Sequence, residues 1–411
     1  MLKAERKCRF CNAHLTETFA NLGMSPLSNS FIANDKQHLS ESIYPLHAYV
    51  CSHCFLVQLE EFESPQNIFT DYLYFSSFSD DWLKHSERYA NDSIKKFNLN
   101  SSSTVVEIAS NDGYLLQFFK QRKIPVLGIE PASNVAQTAI AKGIPTQVAF
   151  FGVETANQLR EKGVSADLIV ANNVLAHVPN INDFVAGFKM LLKPAGVTTF
   201  EFPSLHRQIE GNQFDTIYHE HFSYLSLLAV EQVMGKHGLR VFDVEELKTH
   251  GGSLRVYVCH QDTPHLSTQG LKEQRQREAE FGLNKLTVYK NFCNVTSTIK
   301  ADLLEFFLNA RKSGKVVAGY GAPAKGNTLL NYCGIGPEFL PFTVDRSPYK
   351  QNTLLPGCRI PVLSPDQIFQ SKPDYLLILP WNLRNEISAQ MSEIRSWGGK
   401  FVTPIPKIEV F

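Results

Sequence analysis

From about residue 104 onward, short apolar runs alternate with longer stretches of helical periodicity. Four of these runs are Thr104–Ala109, Val126–Glu130, Asp167–Ala171 and Val197–Phe202. Apolar strands that are separated by helices are typical of a doubly wound, parallel α/β sheet. The pattern therefore predicts a Rossmann-like domain in the middle of the chain.

The same alternation returns in the last third of the chain. An apolar run at Lys315–Gly319 leads into a glycine turn and a helix start, and further runs follow at Thr343–Asp345 and Asp374–Leu379. This pattern predicts a second Rossmann-like domain. The largely helical stretch from Gly270 to Lys312 connects the two halves.

The glycine turn of the second domain resembles a phosphate loop through Gly321 and Gly326. Asn327 and Thr328 stand where such a loop requires Lys followed by Ser or Thr, so we do not expect nucleotide hydrolysis. Binding of a substrate diphosphate by backbone amides remains open. We assign Lys325 and Asn327 to substrate binding.

The first of the four strands carries Glu107 and is followed by a turn of small and polar residues that ends at Gly113. The second strand ends in Glu130, about 20 residues further on, where a carboxylate can hold both hydroxyls of a ribose. The turn lacks Gly-x-Gly-x-x-Gly, so it suits a cofactor without phosphates better than NAD. S-adenosylmethionine fits this description, whereas an ordinary βαβ unit with a polar loop is the alternative.

Polar residues also follow the third strand, where Asn172, Asn173 and His177 lie close together in sequence. Ligands of doubly wound folds bind at the carboxyl edge of the sheet, so these residues are candidates for the site. A lone histidine is more often a structural residue, and only the surrounding polar loop favours a role for His177.

The segment from Tyr218 to Tyr224 is the densest cluster of titratable groups, with one acid, two imidazoles and two phenols. Such groups supply a general base, a residue that orients it and a donor for an oxyanion. His219 and His221 are two positions apart, which does not match the zincin motif, so we expect no catalytic metal. A polar loop that caps the domain is the alternative.

Two cysteine pairs, Cys8/Cys11 and Cys51/Cys54, have the Cys-x-x-Cys spacing of zinc knuckles. Four thiolates leave no open position on the metal, so the predicted zinc ion is structural. Independently buried thiols are the alternative. The stretch Asp71–Ser79 then mixes aromatic and hydroxyl side chains, which suits either stacking on a base or sugar or a packing seam between domains.

The 411 residues exceed one ordinary core, and we place the domains at 1–78 (zinc-binding), 79–250 (methyltransferase) and 251–411 (C-terminal, substrate-binding). Forty basic residues balance 40 acidic ones, so no overall charge favours nucleic acid or an anionic membrane as a partner. Neither a signal core nor a membrane-length apolar run is found, and the cysteines suggest a reducing compartment. We expect a soluble, cytoplasmic protein that is a monomer or a small homo-oligomer.

Taken in order, these motifs resemble one family along essentially the whole chain. The motifs are the zinc knuckles, Tyr72-x-Tyr74-x-Ser76-Ser77, the Glu107–Gly113 and Asn172–Val178 loops, Tyr218–His221, His250–Arg255 and Gly319–Asn327. The family is that of the nucleotide-deoxysugar C-methyltransferases, such as the C-3 methyltransferase of tetronitrose biosynthesis. The turn at Ala109 and Ser110 departs from the Gly-x-Gly of many methyltransferases.

The resemblance implies methyl transfer from S-adenosylmethionine to carbon, at C-3 of a dTDP- or GDP-linked 4-keto-6-deoxysugar. Residues assigned to the cofactor are Glu107, Ala109, Asn111, Gly113, Glu130, Pro131, Asn172 and Asn173. Residues assigned to the substrate are Tyr72, Tyr74, Ser76, Tyr224, Lys325 and Asn327.

The chemistry is assigned to His221 as the base that removes the proton beside the ketone, with Tyr218 or His177 stabilising the enolate oxygen and Glu220 orienting an imidazole or a sugar hydroxyl. Two other functions remain open at this stage. One is an O- or N-methyltransferase, and the other is a non-enzymatic protein that binds sugar nucleotides.

Overall fold

The computed structural model describes residues 5–69 and 76–411, without the side chains of residues 68 and 69. The N-terminal part comprises β1 (Glu17–Ser25), β2 (Ile32–Ala33), β3 (Tyr44–Val50), β4 (Val57–Leu59) and α1 (Pro65–Phe69). Strands β1, β3 and β4 form an antiparallel sheet, with the cysteine pairs just before β1 and in the turn between β3 and β4.

The middle part begins with α2, whose N-cap Ser79 accepts a hydrogen bond from the backbone N of Trp82 and whose first turn carries two acidic residues. Its elements are α2 (Asp80–Lys96), β5 (Val105–Ile108), α3 (Leu116–Gln121), β6 (Val126–Ile129), α4 (Ser133–Ala141), β7 (Thr146–Gln147), α5 (Val153–Glu161), β8 (Ala166–Asn172), α6 (Ile181–Leu191), β9 (Leu192–Pro203), α7 (Leu205–Glu210), β10 (Ser223–Tyr224), α8 (Leu227–Lys236), β11 (Leu239–Leu247) and β12 (Ser253–His260).

Seven of these strands form one sheet in the order β11-β12-β9-β8-β5-β6-β7. The strands from β9 to β7 are parallel, because each is reached through a helix that crosses the sheet, and they include the four strands predicted from the apolar runs. The strand order reverses between β5 and β8, which is where a doubly wound sheet opens a crevice at its carboxyl edge.

The last part begins with two helices, the second of which packs on β1. Its elements are α9 (Gln269–Phe281), α10 (Leu286–Lys312), β13 (Val317–Tyr320), α11 (Ala324–Cys333), β14 (Thr343–Val344), β15 (Thr353–Leu354), β16 (Pro361–Leu363), α12 (Asp366–Ser371), β17 (Tyr375–Ile378), α13 (Arg384–Gln390), β18 (Lys400–Thr403) and β19 (Glu409–Val410). Its sheet has the order β19-β18-β17-β13-β14-β16-β15-β2, with parallel strands from β18 to β16.

Some strands of one part pair with strands of another part, which the sequence did not predict. Strand β12 lies beyond the expected boundary at residue 250 but pairs with β9 and β11 in the middle sheet, so that boundary falls inside a hairpin. Strand β2 of the N-terminal part pairs with β15, and β10 pairs with β4. Two-residue strands carry too little periodic signal to be assigned from sequence. Across the described ranges, no helix combines the length and apolarity needed to cross a membrane.

Candidate active site

Four cysteine side chains of the N-terminal part lie together. The Sγ atoms of Cys8, Cys11, Cys51 and Cys54 all lie within 4.8 Å of one another. The Cys8–Cys54 and Cys11–Cys51 sulfur pairs are 3.6 and 3.5 Å apart. Four thiolates about 2.3 Å from a tetrahedral zinc ion stand roughly 3.8 Å apart, so the cluster fits a closed zinc shell.

The two knuckles have the same backbone turn. The backbone N of Asn12 donates to the carbonyl of Cys8, and that of Phe55 donates to Cys51, both at 2.9 Å. Asn12 and Phe55 both have positive φ, at 67° and 58°. Gln58 Nε2 donates to Cys8 Sγ at 3.2 Å, which supports a thiolate at that position.

The loop after β5 makes a tight turn without the usual glycine pair. Ala109, Asn111 and Gly113 have φ of 56°, 50° and 78°. Glu130 holds this turn, because its Oε2 accepts from the backbone N of Asn111 and its Oε1 from that of Ala132, both at 2.8 Å. A strained backbone persists only where its surroundings fix it, so Glu130 supports the loop in addition to any role toward a ribose.

Glu130 remains able to bind a ribose. Each carboxylate oxygen has a second lone pair beyond the one that its backbone partner uses. Burial raises the pKa of Glu130, and the amides of Ala132 and Asn111 oppose this rise. Pro131 follows as a half-buried residue.

Several buried acceptors in the crevice between β5 and β8 lack protein partners. Among the described residues, the buried side-chain oxygens of Asn172 and Asn173 have no hydrogen-bond partner, and the buried carboxyl group of Glu107 faces the Tyr114 hydroxyl. Burial raises the pKa of Glu107 well above its usual value, and the Tyr114 hydroxyl opposes this rise. Buried polar atoms are normally paired, so these acceptors fit donors of a ligand such as the amino group and hydroxyls of S-adenosylmethionine.

Tyr218 and His221 form a hydrogen-bonded pair. The Tyr218 hydroxyl lies 2.9 Å from His221 Nε2, and His221 Nδ1 lies 3.0 Å from the carbonyl oxygen of Thr216. A carbonyl only accepts, so Nδ1 carries the hydrogen and Nε2 accepts from the phenol. Burial lowers the pKa of His221 well below its ordinary value, so the imidazole is neutral near pH 7. His221 is thus held in the form that a base requires.

His177 connects this pair to the crevice. It follows β8 and the crevice residue Asn172, and its ring centroid lies 4.7 Å from that of His221. Its Nδ1 donates to the backbone carbonyl of Glu220 at 2.8 Å, and burial lowers its pKa to about 4. Another neutral imidazole therefore stands between the crevice and the Tyr218–His221 pair.

Glu220 is buried beside this pair and is held from the N-terminal part. Its Oε1 accepts a hydrogen bond from Asn29 Nδ2 at 2.6 Å. Burial raises its pKa to about 7, against the opposing effects of Asn29 and Lys350. Glu220 therefore exchanges between acid and carboxylate near neutral pH.

The C-terminal part closes the other side of the Tyr218 segment. Thr328 Oγ1 donates to the carbonyl of Ile217 at 3.0 Å, and it lies 3.4 Å from Ser28 Oγ of the N-terminal part. All three parts of the chain therefore meet at the segment that carries the titratable cluster.

Lys325 lies near a buried acid at the boundary between the middle and C-terminal parts. Asp215 accepts from Trp381 Nε1 at 2.7 Å, and burial raises its pKa to about 6. Lys325 Nζ lies 4.3 Å from the centroid of the Trp381 ring and is hydrogen-bonded to Asn382. Burial lowers the pKa of Lys325 to about 8. The lysine is therefore a weakly solvated cation beside the Tyr218 segment.

Two residues assigned to the substrate are deeply buried, and their role stays a prediction. Tyr224 is 2% exposed, its strand β10 pairs with β4, and its ring centroid lies 6.0 Å from that of His221. Asn327 is 1% exposed within α11. Among the described residues, Asn327 Nδ2 has no hydrogen-bond partner, so burial does not exclude a contact with substrate.

The aromatic and hydroxyl segment after the zinc module is described only in part. Tyr72 and Tyr74 lie outside the described residues. Ser76 lies against the cofactor loop, where its backbone N donates to Asn111 Oδ1 at 2.9 Å. The segment predicted to contact substrate is thus joined to the loop predicted to contact cofactor.

Sequence reasoning missed two residues near the site. Asn29 gave no signal because it is 191 positions from Glu220. His250 precedes two glycines and was noted in the sequence only as part of a motif. Its φ is 54°, and its ring centroid lies 5.7 Å from that of Trp82. Neither the contact of Asn29 nor the backbone conformation of His250 can be read from the sequence.

Three family models match the chain in succession. A zinc binding domain matches residues 8–69, a methyltransferase domain residues 82–244, and the C-methyltransferase C-terminal domain residues 248–406. These matches agree with the fold class and cofactors expected from the sequence.

Among curated proteins, the C-methyltransferase NovU of Streptomyces niveus is 34% identical over 404 residues, which is 98% of this chain and 96% of that protein. Among solved structures, the magnesium protoporphyrin IX methyltransferase of Synechocystis PCC 6803 is 13% identical, with 43% of this chain and 83% of that chain covered and a TM-score of 0.35. A SAM-dependent methyltransferase from Aquifex aeolicus is 18% identical, with 41% and 88% covered and a TM-score of 0.32. Both TM-scores and both sequence identities are low.

The match to NovU and the family models exclude the alternative that this chain is a non-enzymatic sugar-nucleotide-binding protein. They also favour transfer to carbon over transfer to oxygen or nitrogen. The chain belongs to the S-adenosylmethionine-dependent C-methyltransferases that carry an N-terminal zinc-binding domain.

Proposed function

We propose that this enzyme methylates C-3 of a nucleotide-linked 4-keto-6-deoxysugar, with dTDP or GDP as the nucleotide. The observation that carries the proposal is the Tyr218–His221 pair, in which a neutral imidazole accepts from a phenol beside the crevice edge. A proton beside a ketone is acidic only when a base and an oxyanion donor act together. The pair supplies both.

In this proposal, His221 Nε2 removes the proton from C-3. The Tyr218 hydroxyl, which donates to Nε2 in the structure, turns to the C4 oxygen of the bound ketone and leaves the Nε2 lone pair free. The C–H electrons move into the enolate, whose negative oxygen the phenol stabilises. Thr216 holds the His221 ring in the required tautomer throughout.

When bound, S-adenosylmethionine would supply an electrophilic methyl group for the C-3 carbanion, with S-adenosylhomocysteine as the leaving group. Glu107 and Asn172 would accept from its amino group, and Glu130 from its ribose hydroxyls, since these acceptors lie along one edge of the sheet. Holding carbon and methyl in line is the contribution of the crevice to the rate.

Lys325 is the proposed contact for the substrate diphosphate. It lies on the C-terminal side of the Tyr218 segment. Burial lowers its pKa, and the nearby carboxyl group of Asp215 partly offsets this lowering. His177 and Glu220 are proposed to position the sugar, because the His177 ring lies against that of His221 and the buried Glu220 directly precedes His221 in sequence. Location in the cytoplasm, no binding of nucleic acid, and a monomer or small homo-oligomer stay predictions from the sequence.

The His221→Asn variant tests the role of the base. Its amide cannot accept the proton, so kcat should fall by ~10²–10⁴-fold while S-adenosylhomocysteine binds as in the parent. In heavy water with S-adenosylhomocysteine in place of the methyl donor, the parent should exchange the C-3 proton of the ketosugar, and His221→Asn should not.

Tyr218→Phe is the matched comparison, because it keeps the imidazole and removes only the donor. It should slow exchange as well. If His221→Asn stays within a few-fold of the parent in both assays, the base is another residue, and Tyr218 or His177 takes its place.

A further inference from the structure

The segment that leaves the zinc module is hydrogen-bonded to the loop that would hold the cofactor. Ser76 donates its backbone N–H to Asn111 Oδ1 at 2.9 Å, and Ser77 Oγ donates to the carboxylate of Asp112. Asn111 and Asp112 belong to the turn after β5, whereas Ser76 and Ser77 belong to the segment assigned to the substrate. The contacts join two regions that are 35 positions apart in sequence.

Asp112 is the centre of this junction. Its side chain is 1% exposed and its Oδ2 also accepts from Lys142 Nζ at 2.9 Å. Lys142 lies 3.3 Å from Ser77 Oγ, so hydroxyl, carboxylate and ammonium form one closed group. Lys142 follows α4, the helix that begins just after Glu130. Asp112 is the buried member of this group, whereas the Lys142 side chain is 45% exposed, and charge-assisted hydrogen bonds to a buried carboxylate are stronger than neutral ones.

A continuous chain of hydrogen bonds runs from the proposed ribose acceptor to the substrate segment. Glu130 Oε2 accepts from the backbone N of Asn111, and Asn111 Oδ1 accepts from the backbone N of Ser76. Asn111 has φ of 50°, a conformation that asparagine adopts readily, and these two bonds fix its orientation. A ligand that fixes Glu130 therefore also fixes the residue that holds Ser76.

We propose that cofactor binding positions the substrate segment at Ser76 and Ser77 through Asn111 and Asp112, so that the cofactor and the nucleotide-linked sugar bind with positive coupling. The inference rests on the proposed function, because it takes the crevice as the cofactor site and the segment as a substrate contact. Ser77 and Asp112 are positioning residues, and neither touches the reacting atoms. By linkage, the sugar nucleotide strengthens cofactor binding by the same factor, and couplings of this kind are typically about 5–150-fold.

Hydrogen exchange with and without S-adenosylhomocysteine tests the inference directly. In the parent, the ligand should slow exchange of the backbone amides at Ser76 and Ser77 by roughly tenfold or more, within the usual range of such couplings. In Ser77→Ala the ligand should still bind, but its protective effect on these amides should largely disappear. Ser77→Thr keeps the hydroxyl and should restore it.

Ser79→Ala is the matched control on the same segment. Ser79 Oγ caps α2 by accepting from the backbone N of Trp82, and it is not bonded to the cofactor loop. Ser79→Ala should therefore lower the thermal stability of α2 and leave the ligand-dependent protection of Ser76 and Ser77 unchanged. A purely structural role of Ser77 would make the two alanine variants behave alike.

These experiments distinguish a failure of the coupling from a failure of the proposed function. If S-adenosylhomocysteine does not bind the parent in a calorimeter, the cofactor site is wrong and the inference falls with it. If the ligand binds the parent but leaves exchange at Ser76 and Ser77 unchanged, or protects Ser77→Ala as much as the parent, only the coupling is refuted.

Discussion

Each of the two Rossmann-like halves of this chain contains a turn held by the same pattern of hydrogen bonds. In the middle part, Glu130 accepts from the backbone N of Asn111 in the first loop and from that of Ala132, both at 2.8 Å. In the C-terminal part, Asp345 accepts from the backbone N of Ala322 in the first loop and from that of Ser347, again at 2.8 Å. The acid after the second strand therefore holds the first loop in both halves.

The halves differ in what surrounds that turn. By strand register, Gly319 stands where the middle part has Glu107, and Leu379 stands where it has Asn172. Pro380 follows Leu379, and a side chain built on Gly321 would lie 2.5 Å from its Cδ. The polar acceptors of the first crevice are thus replaced by apolar groups, and proline fills the space above the second loop.

The comparison separates two roles of the same carboxylate. An acid after the second strand is sufficient to build the turn, because Asp345 does so where the crevice is filled. Cofactor binding requires in addition buried acceptors that the protein leaves unpaired, and among the described residues these lie in the middle part and not in the C-terminal part. We therefore place the cofactor in the middle part and expect no adenosyl site in the C-terminal part.

The largest expected effect comes from the zinc module, which is attached differently to the two halves. Strand β4 pairs with β10 just after His221, whereas β2 pairs with β15 at the edge of the C-terminal sheet. Cys51→Ser should open the metal cluster, since structural zinc contributes on the order of 10 kcal/mol to such modules. Folded yield and turnover should both collapse. Metal analysis should find one zinc per chain in the parent.

Cys293→Ser is the control, because this half-buried thiol lies outside the cluster. It should retain zinc and activity. Freshly purified, active parent protein without stoichiometric zinc would contradict the structural role of the metal.

A second prediction exchanges one residue between the crevices. Asn172→Leu copies Leu379 into the first crevice and should weaken S-adenosylhomocysteine binding by about 3 kcal/mol, because it removes an acceptor for a charged donor and fills space. The reverse change, Leu379→Asn, should create no second site, since Pro380 remains in place. Calorimetry measures both variants. Unchanged affinity in Asn172→Leu, or a new binding site in Leu379→Asn, would show that these residues do not decide which half binds the cofactor.

The smallest effect should come from the two equivalent acids. Glu130→Ala and Asp345→Ala both remove the bonds that hold a loop, so both should lower the thermal midpoint by a few degrees. Only Glu130→Ala should also weaken S-adenosylhomocysteine binding, by about 1–3 kcal/mol, as the ribose hydroxyls lose their acceptors. Equal affinity in both variants would show that Glu130 has only the structural role of Asp345.

The sequence predicted the parts of this molecule that are set by local pattern. Apolar runs located the parallel strands, and the Cys-x-x-Cys spacing located the metal cluster. It did not predict that Asn29 holds Glu220 or that β2, β4 and β10 join parts far apart in sequence, because such contacts leave no periodic signal.

One measurement tests the central claim, which is that the methyl group goes to a ring carbon in the first crevice. The enzyme is incubated with S-adenosylmethionine carrying a labelled methyl group and with dTDP- and GDP-linked 4-keto-6-deoxysugars, and the product is examined by carbon–proton correlation NMR. We expect a labelled methyl group bonded to C-3 beside the ketone, and we expect its formation to be lost in His221→Asn. A methoxy or N-methyl signal would contradict it, even if every cofactor residue were correctly assigned.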